Sequence, residues 1–368
     1  MDQFHDIRPY NDDEVVEVLH NLVETPAFIN TIIDFRFAKW PKILRSPLGF
    51  AVKMALKRQI SSIANVHDFQ MRVAGYMERM IKTTTTDVEY RGIEKLDKNK
   101  GYLFLSNHRD IAMDPAFVNY GLYLAGLNTV RIAIGDNLLR RPFVSDLMRL
   151  NKSFIVKRSA NGIREMMAAF GQLSGYISHS IMEEQSNIWI AQKEGRAKDG
   201  LDQTDPAIIK MFYMSQKKAK VPFAEAMGNL NVVPVSISYE YDPCAFDKAR
   251  ELHQKSTTGN YQKGEFEDID SIKNGIVGQK GKVVVTFGDV MDNSFETAEA
   301  FVTEVDRQII SQYAIHSSNE AALALQQGLP TTDKAFSAYL ETCPEDLRET
   351  VLAMYANPLK QQQKQLNS

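Results

Sequence analysis

The densest group of chemically capable residues in this 368-residue chain is Ser106-Asn107-His108-Arg109-Asp110-Ile111-Ala112-Met113-Asp114-Pro115. His108 has two carboxylates within six residues, Asp110 and Asp114. A carboxylate beside an imidazole fixes its tautomer and stabilises the imidazolium that forms when the ring accepts a proton, which makes a general base. The same residues can also cap the start of a helix, so the position of the segment in the chain has to decide between the two roles.

Two further segments end in cations. Ser153 to Val156 is followed by Lys157 and Arg158, and Ile188 to Ala191 by Gln192-Lys193-Glu194-Gly195-Arg196-Ala197-Lys198. Each cation alone reads as a solvated surface residue. Four of them at the ends of apolar runs, downstream of a histidine–aspartate segment, are expected to meet one anion, with Arg196 as a planar fork and Lys157, Arg158 and Lys198 supplying further charge.

The elements that must position these groups follow from the apolar pattern. From residue 87 onward, short apolar runs at Gly101–Ser106, Val130–Ile134, Ser153–Val156, Ile188–Ala191, Val232–Ser238 and Lys282–Phe287 alternate with helical patterns at Pro115–Leu127, Gly162–Ile177, Pro206–Ala219 and Ala298–His316. Strands separated by helices predict an α/β fold with a mostly parallel central sheet flanked by helices. In such sheets the active groups lie beyond the carboxyl ends of the strands, and His108 follows the first of these runs directly.

An N-terminal helical subdomain is expected over 1–86, where Val15, Val18, Leu19, Leu22 and Val23 recur at helical spacing behind Asn11-Asp12-Asp13-Glu14. The α/β domain is expected over 87–320, and a C-terminal helical extension over 321–368 with a polar, frayed tail from Lys360. Between Arg36 and Arg58 the chain carries Lys39, Lys42, Arg45, Lys53 and Lys57 with no acid, interleaved with Phe37, Trp40, Phe50 and Leu56. That composition suits either a helical pair with solvated lysines or peripheral contact with an anionic membrane.

Composition narrows the function further. Lys plus Arg number 43 and Asp plus Glu 46, a formal charge of −3, so no global basic field exists to hold nucleic acid. The two cysteines, Cys244 and Cys343, form neither a disulfide framework nor a zinc site by spacing, and no metal or other cofactor is expected. No run reaches the ~18 apolar residues of a spanning helix, and the N-terminal residues lack a signal-peptide pattern. A cytoplasmic, peripherally membrane-associated protein is expected.

Taken in order, Asn107-His108 through Asp114-Pro115, Phe154 to Arg158, Glu194-Gly195-Arg196 and Val233-Pro234-Val235 resemble the four blocks of the glycerolipid acyltransferases. Asp114-Pro115-Ala116, Gly135-Asp136 and Ile188 to Ala191 resemble most closely the soluble plastid-type glycerol-3-phosphate acyltransferases. The resemblance covers roughly residues 87 to 320. Two departures stand out. Five residues separate His108 from Asp114 where the family usually has four, with Met113 at the usual aspartate position, and the third block reads Glu-Gly-Arg-Ala-Lys.

The resemblance implies transfer of an acyl group from acyl-CoA or acyl-carrier protein to glycerol 3-phosphate or 1-acylglycerol 3-phosphate, without an acyl-enzyme. His108 would act as base and Asp114 as its orienting partner, with Asp110 the fallback. Lys157, Arg158, Arg196 and Lys198 would bind the acceptor phosphate with help from Arg109, and Glu194 and Gly195 would shape the loop. A noncatalytic lipid-binding or membrane-surface protein on the same scaffold is the competing expectation. A serine hydrolase is disfavoured because GxSxG is absent.

Overall fold

The structure is a computed structural model that describes residues 2–367 except 38, 39, 42, 44, 140, 160, 161 and 265. Its helices and strands run α1 Asp12–Glu24, α2 Pro26–Arg36, α3 Arg45–Ile60, α4 Val66–Thr84, β1 Thr85–Arg91, β2 Leu103–Ser106, α5 Met113–Leu124, β3 Arg131–Gly135, α6 Pro142–Leu150, β4 Ser153–Val156 and α7 Ile163–Met182. They continue as β5 Ile188–Ala191, α8 Pro206–Lys218, α9 Phe223–Gly228, β6 Val232–Tyr239, α10 Ala245–Thr258, α11 Glu267–Val277 and β7 Gly281–Phe287. The last four are α12 Ala298–Gln312, α13 Ser317–Gln326, α14 Lys334–Glu341 and α15 Arg348–Leu366.

The chain forms two compact units. The smaller combines residues 1–76 with 131–169, and the larger combines 77–130 with 170–368. The boundaries expected at 86 and 320 fall inside β1 and α13.

In the smaller unit, the helical spacing read from Val15 onward becomes a buried stripe: Val15, Leu19 and Leu22 of α1 pack with Val66 and Phe69 of α4 and with Phe143 and Leu150 of α6. Glu14 starts α1 by accepting the Asn11 N–H at 2.6 Å. β3 and β4 pair in parallel, Gly135 opposite Val156. α3 buries none of its residues: Phe50 is 70% and Met54 52% exposed. Lys53 and Lys57 both pair with Glu24. Lys39 and Lys42 lie outside the described residues.

In the larger unit five strands are hydrogen-bonded in the order β1-β7-β6-β2-β5. All these pairings are parallel except β6 with β7, so the sheet is mostly parallel, with helices as the connections. β2 is fully buried, as a central parallel strand must be. Its register sets Ser106 opposite Ala191 of β5 and Val235 of β6, so the loops leaving β2 and β5 emerge side by side.

β1 was not expected. Its sequence, Thr-Thr-Asp-Val-Glu-Tyr-Arg, has little apolar signal because it is an edge strand bonded only to β7. The expected frayed tail is instead the last turns of α15, and here the expectation is corrected. Gln361 and Gln362 donate to main-chain carbonyls of Asp202, Ile310 and Tyr313, so their amides serve as packing contacts.

Candidate active site

Where β2 ends, Asn107 continues its hydrogen-bonding pattern with a side chain. Its amide accepts from Ile237 N–H at 2.8 Å and donates to the Ile237 carbonyl at 3.1 Å. The chain then turns sharply, and the turn wraps around one carboxylate. Asp114, in the first turn of α5 and completely buried, accepts the N–H groups of Arg109 at 2.6 Å and Asp110 at 2.9 Å. The same oxygen lies 2.8 Å from His108 Nδ1. A carboxylate oxygen accepts, so His108 donates from Nδ1, and in the neutral ring that tautomer leaves Nε2 as the lone-pair acceptor. Tyr239, the last residue of β6, donates its hydroxyl to the other Asp114 oxygen at 2.7 Å.

Asp114 is therefore the partner of His108. Asp110 takes a different position: it accepts the N–H groups of Ala112 and Met113, both at 2.9 Å, and so caps the start of α5. Burial and the nearby Asp114 charge push its carboxyl above the ordinary range.

The His108 ring is 14% exposed and stands edge-on to Trp189 of β5, with centroids 5.5 Å apart. It is open on one side and held on the other. The loop after β5 runs beside it, since Gln192 N–H donates to the Ser106 carbonyl at 2.7 Å and Ala197 N–H to the His108 carbonyl at 2.8 Å.

The expected cations are distributed unevenly. Arg196, immediately before the residue bonded to His108, is half-buried; its Nη2 reaches Ser271 Oγ at 3.4 Å, while its buried Nη1 has no hydrogen-bond partner. Lys198 pairs with the nearly buried Glu251, and burial holds its ammonium below the usual lysine range. Glu194 and Gly195 are exposed, and Gly195 takes φ +78°, a left-handed turn conformation suited to glycine. In the smaller unit, Lys157 pairs with Asp6, and Asp136 accepts the Arg158 N–H at 3.1 Å.

Arg109 departs from its expected place at the anion. Only 6% exposed, it donates to the carbonyls of Ala197 and Gly200, both at 3.2 Å, and to Asp202 at 2.6 Å. It fastens the loop that carries Arg196. A guanidinium's five donors suit it to gathering several loop acceptors in a buried place.

Sequence reasoning missed Tyr239, Asp202 and Lys248. The buried Lys248 of α10 donates to the Arg109 carbonyl at 2.6 Å and pairs with Asp242. Only Tyr239 had a signal, as the polar end of an apolar strand; Asp202 follows Lys198 by four residues in a loop with no pattern of its own, and Lys248 lies beyond the last block. Cys244 is buried, its thiol pushed up to about 12 chiefly by burial, which removes it as a nucleophile. Among the described residues, no group of histidines, cysteines and acids could hold a metal ion.

Residues 87–238, the segment that carries His108, Asp114 and Arg196, match the protein family described as Acyltransferase. No curated protein matches the chain. Among solved structures it is similar to the 1-acyl-sn-glycerophosphate (LPA) acyltransferase PlsC from Thermotoga maritima, at 17% identity and a TM-score of 0.38, over 66% of this chain and 78% of that one.

Proposed function

We propose that this protein transfers a fatty acyl group from a thioester, acyl-CoA or acyl-carrier protein, to a hydroxyl of glycerol 3-phosphate or 1-acylglycerol 3-phosphate. The observation that carries the reading is the pairing of the partly exposed His108 with the buried Asp114, in a segment that matches the acyltransferase family. The acceptor hydroxyl attacks the thioester carbonyl while His108 Nε2 takes its proton. The C–S bond then breaks, and the departing thiolate receives that proton. Asp114 keeps the ring in the productive tautomer, and the substrate supplies the nucleophile, so no acyl-enzyme is required.

Arg196, with an unpartnered donor in the loop bonded to His108, is the first candidate for the acceptor phosphate. Lys157, Arg158 and Lys198 follow it. Phosphate binding fixes the hydroxyl near the base and turns remote binding energy into positioning.

Among the described residues no helix is long and apolar enough to cross a membrane. The exposed Phe50 and Met54, among the cations of α3, support peripheral contact with an anionic bilayer on the cytoplasmic side.

The test is to supply radiolabelled acyl-CoA or acyl-carrier protein with either acceptor and measure labelled phosphatidic or lysophosphatidic acid. Labelled product that disappears with His108→Ala is the expected result. Binding of acyl donor without turnover by either acceptor would replace this reading with that of a noncatalytic lipid-binding protein.

A further inference from the structure

We propose that Tyr239 sets the basicity of His108 through Asp114, as a positioning residue that never touches substrate. The Asp114 carboxylate has two unlike sides. One oxygen takes His108 and two main-chain N–H groups from its own turn, while the other takes the Tyr239 hydroxyl, which arrives from the end of β6. The main-chain donors are built into the turn. Tyr239 is the donor that sequence can change without altering it.

A hydroxyl donated to a buried carboxylate is a charge-assisted bond in a medium of low dielectric. It stabilises the negative charge on Asp114 and leaves less of that charge to stabilise an imidazolium at His108. Tyr239 thereby holds His108 less basic than Asp114 alone would make it. Burial and the Asp114 charge keep the phenol well above its ordinary value of 10, so it stays a donor across the working range.

The other charges around the pair are Asp110 in the same turn, which Lys280 before β7 faces in turn, Arg109 with Asp202 of the loop after β5, Lys248 of α10 with Asp242, and the phenol of Tyr313 beyond α12. All are unchanged when the Tyr239 oxygen alone is removed. The ring is seated independently of that oxygen, packed edge-on to Phe117 at 5.9 Å, so Tyr239→Phe keeps the packing.

The experiment is an NMR titration of the histidine side chains in the full chain and in Tyr239→Phe, with His108→Gln to assign the signal. The His108 pKa should rise by about half a unit to one unit in Tyr239→Phe. Site-specific 3-fluorotyrosine at 239, a stronger donor, should move it the other way, and this serves should the phenylalanine variant fail to fold. The kinetic arm rests on the acyl-transfer reading: the acid limb of kcat/KM should shift upward by the same amount. An unchanged His108 titration, or a pH profile lowered uniformly without displacement, overturns the proposal. If neither protein transfers acyl groups, the functional reading fails while the titration still decides the role of Tyr239.

Discussion

Lys248 Nζ donates to the main-chain carbonyl of Arg109 at 2.6 Å, so an ammonium on α10 holds the turn in which His108 and Asp114 meet. Lys248 is 2% exposed, and its other partner, Asp242, lines the same region. Lys248→Met keeps the volume and removes the charge, leaving Asp242 uncompensated and the carbonyl unbonded. Stability should fall by about 3 kcal/mol, read as a lower midpoint in urea.

At the pair itself, His108→Ala and Asp114→Asn should each lower kcat by roughly 10²–10⁴-fold with the fold retained by circular dichroism. Asp110→Asn should cost far less activity, because Asp110 caps α5 and does not touch the imidazole. Full activity in Asp114→Asn would show that His108 needs no orienting carboxylate.

Gly275 of α11 packs against Asp110. A Cβ there would stand 2.8 Å from the Asp110 carboxyl carbon, and Asp110 is held by two main-chain N–H groups. Gly275→Ala should destabilise the protein by about 1–3 kcal/mol through overpacking, a shift readable by thermal unfolding, and should lower activity by disturbing the turn.

Arg196→Ala should raise the acceptor KM by about tenfold or more, with the acyl-donor KM nearly unchanged, since a charge-assisted contact to phosphate is lost. A change confined to the donor KM would reassign this cation to the CoA or carrier-protein site.

His316 gives a pH dependence unrelated to catalysis. It caps α13 and contacts Ser238 Oγ at 3.0 Å, and its pKa is lowered from 6.5 to about 4, chiefly by burial and then by Lys282 and Arg91. The unfolded chain takes up this proton more readily, so stability is full above about pH 6.5 and is lost progressively as pH falls toward 4. The loss should be about 3 kcal/mol, and His316→Asn should flatten that limb in unfolding curves measured between pH 7 and 4.

What could be read from sequence follows the range of the interactions. All six apolar runs are strands, because a buried parallel strand needs consecutive apolar residues. β1 escaped notice because half-exposed edge residues carry no such pattern. The His108 segment was legible as a local motif. The preference for Asp114 over Asp110 came from the family resemblance and not from the local pattern, since the geometry behind it depends on how the turn folds its N–H groups inward. The main chain does not reveal in advance that Arg109 faces Asp202, 93 residues away, or that the Gln361 amide serves as a packing contact.

Asp202 also has a consequence for how the site is made during synthesis. Its N–H and carbonyl are both bonded to the Gln361 side chain, at 2.9 and 2.8 Å, 159 residues further along. At about 5–20 residues per second a ribosome takes roughly ten to thirty seconds to cover that interval. For that time the nascent chain already contains His108, Asp114 and Arg196, while the loop that Arg109 fastens still lacks its last support. The candidate site is therefore completed late, by α15, after the sheet that carries it has emerged.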